Sequence, residues 1–189
     1  LQTYPGVFTG IGEFSIHKEF VSAKVSGDVA SLIDPALDRI FDFTAESGLL
    51  SILHTDIHMP FVKPEFRRLY FDQALDLFRR HPNTTIIWAH TGLGRVVQPV
   101  AEHLAMLEEI LADPALKHVY FDISWDEVAK YVVATPDATR LTAALIEKYP
   151  DRFLMGSDNV ALTDPEAVFA VFNKYQPLWD ALSPEASKA

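Results

Sequence analysis

The sequence predicts an α/β fold, a parallel sheet with helices packed outside it. Three observations carry this reading. Short apolar runs alternate with helix-like runs along the 189 residues, and most strand starts are spaced by about 35 residues, the size of one strand-helix unit. The strand runs are apolar on both faces, as strands buried in a parallel sheet are. Three of them end on a side chain able to bind a metal or exchange a proton: Leu49-Leu50-Ser51-Ile52-Leu53-His54-Thr55-Asp56, Thr85-Ile86-Ile87-Trp88-Ala89-His90-Thr91-Gly92 and Phe153-Leu154-Met155-Gly156-Ser157-Asp158-Asn159. The carboxyl end of a buried parallel strand is where α/β enzymes place their chemistry.

Candidate strands begin near Val7, Leu49, Thr85, Val119 and Phe153, and five strands in chain order are expected. Asp34-Pro35 starts the first helix, with Leu37, Ile40, Phe41 and Thr44 on one face and Gly48 just past its end. Pro64 starts the second, with Phe66, Tyr70, Ala74, Leu77 and Phe78 as its stripe, and His81-Pro82 ends it. Arg95 opens the third, which carries Val100, Leu104, Leu107 and Leu111. A short helix from Trp125 to Val133 is broken by Pro136, and Ala138, Leu141, Leu145 and Ile146 continue in a second piece. Thr163-Asp164-Pro165-Glu166 is a capping box with Pro in the first turn of the last helix. The longest connection, Lys18 to Ile33, is a candidate lid or substrate loop, or simply a surface excursion. A single domain over residues 1–189 is expected.

A hydrophobic fraction of 49% supports a folded core. The formal net charge of −10 argues against nucleic acid or an anionic membrane as the main partner, and leaves a small-molecule substrate as the expected one. With no cysteine, disulfides, thiol catalysis and thiolate zinc sites are excluded, so any metal takes nitrogen and oxygen ligands. No apolar run approaches the ~20 residues of a membrane span. No signal-peptide pattern is seen, and a cytoplasmic location is expected, although a chain starting at Leu1 without an initiator Met leaves room for a leader or a longer segment upstream.

Among the candidate site residues, Glu13, Ser15 and His17 fall on one face if the first strand extends that far. A carboxylate at a buried strand end needs a metal or hydrogen bonds, so Glu13 is either a ligand or a structurally satisfied acid. His54 and Asp56 share a face, and His58 lies beyond the strand, at the rim. His90 follows an apolar run and precedes Gly92 and Gly94, which permit a tight turn. Arg95 suits a substrate carboxylate or a surface ion pair. Asp158 can ligate a metal and accept a proton, or merely cap a turn. Asp122 and Ser124 are weaker candidates for substrate contact, and His81, His103 and His118 read as structural. Gly-x-Ser-x-Gly and Gly-x-Gly-x-x-Gly are both absent, which removes support for a serine hydrolase elbow and for dinucleotide binding.

Together these residues resemble the amidohydrolase superfamily of metal-dependent (β/α)8 barrels, in particular the branch that also holds decarboxylases and lactonases. Leu53-His54-Thr55-Asp56 resembles that family's fifth strand, Trp88-Ala89-His90-Thr91-Gly92 the sixth, Val119 to Ser124 the seventh and Met155-Gly156-Ser157-Asp158 the eighth. Gly12-Glu13 resembles a fourth strand carrying an acidic ligand. The resemblance implies a TIM-barrel-type fold with about five of the eight units present. It also implies a divalent metal, Zn or Mn, held by His54, His90, Asp158 and Glu13. Asp158 and His90 would be catalytic, and Arg95 and Asp56 would contact substrate. The family's first-strand His-x-His pair has no counterpart in this sequence.

The favoured reading is therefore a metal-dependent hydrolase, in the form of a carboxyl-terminal portion expected to be inactive on its own. A decarboxylase of the same superfamily and a non-catalytic α/β binding or assembly module are the alternatives. Five parallel strands do not close a barrel, and an open apolar edge invites pairing with a second copy.

Overall fold

The computed structural model describes residues 1–18, 30–61, 63, 67–159 and 164–188. Most of the Lys18–Ile33 connection, the Pro64 helix start and Thr163 lie outside these residues. Five strands form one parallel sheet in the order β1-β2-β3-β4-β5. They are β1 Gly10–Ser15, β2 Leu50–His54, β3 Thr85–Trp88, β4 Val119–Asp122 and β5 Phe153–Leu154. Chain order and spatial order coincide, the arrangement expected of successive crossovers of one hand. The register pairs Ser15 with His54, Leu53 with Trp88, and Trp88 with Phe121, so the carboxyl ends lie level.

The helices are α1 Pro35–Ser47, α2 Leu69–Arg80, α3 His103–Ala112, α4 Asp126–Val132, α5 Pro136–Lys148, α6 Glu166–Lys174 and α7 Gln176–Trp179. At the start of α1 the Asp34 side chain accepts from Ala36 N at 2.8 Å. Gly48 ends the helix in the left-handed region at φ 67, where a side chain would be strained. Thr135 caps α5 through Ala138 N at 3.1 Å.

Two expectations need correction. The first strand starts at Gly10 rather than near Val7, because Val7 and Phe8 are exposed and precede the pairing with β2. The third helix starts at His103 rather than Arg95, since residues 93–100 run as irregular backbone.

The core is strongly aromatic. The Trp88 ring lies 6.3 Å from Phe71, 5.6 Å from Phe78 and 6.1 Å from Phe121. Phe71, Phe78, Trp88 and Phe121 are fully buried, and the Trp88 indole donates to Thr55 O at 2.8 Å, so its one polar atom is satisfied. This layer packs β3 and β4 against α2. Among the described residues no helix is long and apolar enough to cross a membrane.

Candidate metal centre

Glu13 on β1, His54 on β2 and His90 just past β3 each offer one ligand atom, and these atoms lie within 4.8 Å of one another. The His54 and His90 rings meet edge to face, with centroids 4.7 Å apart. Asp158, beyond β5, brings Oδ2 to 3.6 Å from His90 Nε2. All four sequence-derived candidates for the metal thus gather at one end of the sheet.

The outer nitrogen of each histidine is already engaged. His54 Nδ1 stands 2.5 Å from Glu13 Oε1. His90 Nδ1 stands 3.3 Å from Ser124 O and 3.1 Å from Asp122 Oδ2. A carbonyl and a carboxylate can only accept, so both histidines carry the proton on Nδ1 and leave Nε2 as a bare lone pair. Both Nε2 atoms are buried and have no hydrogen-bond partner. An unsatisfied buried polar atom costs about 1–3 kcal/mol, and two side by side on rings locked by carboxylates is the arrangement a cation relieves. The residues present therefore fit a divalent metal ion.

The electrostatics agree. The hydrogen bond from His54 holds the Glu13 carboxyl down at about 2, although partial burial opposes it. Burial pushes the His54 imidazole below its ordinary value despite Glu13. A neutral imidazole donating to an ionised carboxylate satisfies both directions. Burial works to raise the Asp122 carboxyl, but His90 and Ser124 outweigh it and hold the group low. Burial raises Asp158 above the usual carboxylate range, with His90 opposing. Glu13 and Asp122 are thus kept ionised, and Asp158 is moved toward proton exchange.

Local backbone strain marks the same place. His90, Thr91 and Gly92 occupy the left-handed region in succession, at φ 57, 52 and 71, and Asp158 does so at φ 49. The turn is held by Leu93 N donating to His90 O at 3.0 Å and by His103 Nε2 at 3.0 Å from Thr91 O. Burial drives His103 down to about 4. Strained non-glycine residues persist only where the surroundings over-determine them, and they cluster at functional sites.

Of the other residues singled out from the sequence, those past the strand ends lie on the same side as this centre, whereas His81 and His118 precede β3 and β4, at the opposite end of the sheet. Asp56 is buried just past β2, and its N–H donates to His17 O at 3.2 Å. β1 ends at Ser15, and His17, at φ 51, leaves the strand alternation to stack on Tyr70 at 4.0 Å. Arg95 is exposed, 3.8 Å from Glu127 and 5.3 Å over the Trp125 ring. His58 bonds Gln98 O at 2.9 Å. His81 pairs with Asp38 at 2.7 Å and Asp42 at 3.2 Å, and His118 with Phe78 O at 3.0 Å.

Sequence reasoning missed Lys18 and Trp125, and read Asp122 and Ser124 as weaker candidates for substrate contact rather than as supports of His90. Lys18 reaches Glu13 Oε1 at 3.1 Å, Trp125 packs 5.0 Å from the His90 ring, and Asp122 with Ser124 braces His90. Only Asp122, ending an apolar strand like His54, carried a legible signal.

The family model for amidohydrolases matches residues 16–189. The chain belongs to the amidohydrolase family. No curated protein sequence matches it. In structure it is similar to dihydroorotase from Campylobacter jejuni, at 13% identity and a TM-score of 0.50, over 95% of this chain and 57% of that one. The chain thus spans just over half of that enzyme's length, and the likeness identifies the fold as a portion of a TIM-type barrel. Membership places the chain in a hydrolase-type, metal-dependent superfamily.

Proposed function

We propose that this chain carries the reaction centre of a metal-dependent hydrolase acting on a small molecule through an activated water. The supporting observation is the pair of buried, unpartnered Nε2 atoms of His54 and His90, each fixed by a carboxylate on its other nitrogen. His54 and His90 would hold the ion through Nε2, Asp158 would complete the site from β5, and Glu13 would fix the His54 ring from its other nitrogen. When bound, a divalent ion such as Zn or Mn supplies Lewis acidity, polarising a substrate carbonyl and acidifying a water.

The chain's own groups do the rest. Asp158, raised by burial and close to His90, takes the proton from the attacking water on Oδ2 and returns it to the leaving group. Asp122 keeps the His90 proton on Nδ1. Trp125 walls off one side from solvent. Arg95 and Asp56 are proposed to contact the substrate from the rim and from the end of β2. The centre lacks a His-x-His pair, and catalytic zinc commonly takes three protein ligands plus water. We therefore place the metal affinity of the chain alone below that of a complete barrel, with little turnover by itself.

The test is a zinc and manganese titration of the purified chain and of His54→Asn, His90→Asn and the double variant. Saturable binding is expected, weakened at least about tenfold by each single change. Equal binding in the double variant sinks the assignment. For any turnover found in the intact gene product, Asp158→Asn should abolish it, with oxygen from labelled water in the product. Carbon dioxide release without oxygen incorporation would move the site to decarboxylase chemistry, and metal-free turnover would refute both.

A further inference from the structure

We propose that Tyr175 is a positioning residue for this centre, its buried hydroxyl clamping the two carbonyls that flank Ser124 and so fixing His90. The inference rests on the proposed function, because it concerns how one of that site's ligands is held.

Tyr175 lies at the junction of α6 and α7, far in sequence from β4, and is fully buried. Its hydroxyl stands 2.5 Å from Ile123 O and 2.8 Å from Trp125 O. The residue between those carbonyls is Ser124, and both its main-chain oxygen and its hydroxyl lie 3.3 Å from His90 Nδ1. Ser124 in turn donates its hydroxyl to Asp122 Oδ2 at 2.6 Å and its N–H to Asp122 Oδ1 at 2.9 Å. One phenol therefore holds the short segment that carries Ser124, next to Asp122, the other partner of His90 Nδ1.

The segment needs a clamp. Trp125 stands at φ 88, a conformation a bulky residue adopts only under constraint. Without the hydroxyl, the carbonyls on either side of Ser124 lose their shared donor in a buried setting, and rotation of either peptide would carry Ser124 O away from His90. The indole of Trp125, 5.0 Å from His90 and 6.5 Å from His54, would move with it. Burial also raises the Tyr175 phenol, keeping it a donor across the working pH range. The rest of the ring packs on Trp179 at 5.8 Å, so removing only the oxygen leaves the apolar contacts in place.

The experiment compares Tyr175→Phe with wild type and with Phe78→Leu, a core change on the α2 side that lowers stability without touching the β4–α4 segment. Nitrogen-labelled histidine spectra of the metal-free chain report the His90 tautomer directly, and a zinc titration followed in the same spectra reports affinity. Wild type and Phe78→Leu should show a single Nδ1–H tautomer for His90. Tyr175→Phe should show averaged tautomers and zinc affinity about 10–100-fold weaker, the range for losing support behind a metal ligand.

An unchanged His90 tautomer and unchanged affinity in Tyr175→Phe overturns the inference, as does an equal loss in Phe78→Leu. If Tyr175→Phe does not fold, Ser124→Ala tests the next link, and unchanged tautomer and affinity there overturn the inference too. The two readings fail separately. Zinc that never reaches His54 and His90 in wild type refutes the metal centre, whereas a tautomer insensitive to Tyr175 and Ser124 refutes only the clamp.

Discussion

Acidification should weaken this fold through one buried histidine, and the loss can be worked from the structure. His103 opens α3 and is buried beneath the turn carrying His90, with Nε2 at 3.0 Å from Thr91 O. Burial lowers its pKa from 6.5 to about 4. The unfolded chain therefore takes up this proton first as pH falls. Stability is full above about pH 6.5 and is lost progressively down to about pH 4. A shift of about 2.5 units at about 1.36 kcal/mol each gives a ceiling of roughly 3 kcal/mol, of which about 2 kcal/mol is lost by pH 5. Burial lowers His17, His54 and His118 as well, so the wild-type curve alone does not isolate His103. His103→Gln does, because its amide can still donate to Thr91 O and does not titrate. Urea unfolding at pH 7 and pH 5 should show the variant losing about 2 kcal/mol less than wild type. Parallel losses in the two proteins would refute the reasoning.

Gly92→Ala should cost about 2–4 kcal/mol in urea unfolding, since φ is +71 and the new Cβ would lie 2.7 Å from Ile57 Cβ and 2.8 Å from Ile57 N; a change below about 0.5 kcal/mol would mean the turn relaxes freely. Phe78→Ala removes a fully buried ring packed 5.6 Å from Trp88 and should cost about 3–5 kcal/mol by the same measurement. A much smaller loss would show that the aromatic layer collapses around the gap.

The sequence by itself determined the five strands, their order, and the identity of the groups at their carboxyl ends. These features are legible because apolar runs, helix caps and the strand-helix spacing are local, and parallel strands joined by crossovers put the same ends together. His54, His90 and Asp158 stood out as candidates because a polar residue ending an apolar strand is anomalous on inspection. Asp34 with Pro35 and Gly48 likewise announced α1 from chemistry within a few residues.

Tertiary structure decided what those groups are attached to. Nothing near Tyr175 in the sequence signals that its hydroxyl crosses about 50 residues to hold the carbonyls of Ile123 and Trp125. The tautomers of His54 and His90 are set by Glu13, Asp122 and Ser124 from neighbouring strands, and only three-dimensional contact selects which nitrogen keeps its proton. Left-handed backbone at His90, Thr91 and Trp125 was equally invisible, because their own propensities oppose it. That strain is held by packing and hydrogen bonds from distant segments, a property of the assembled fold rather than of any stretch of sequence.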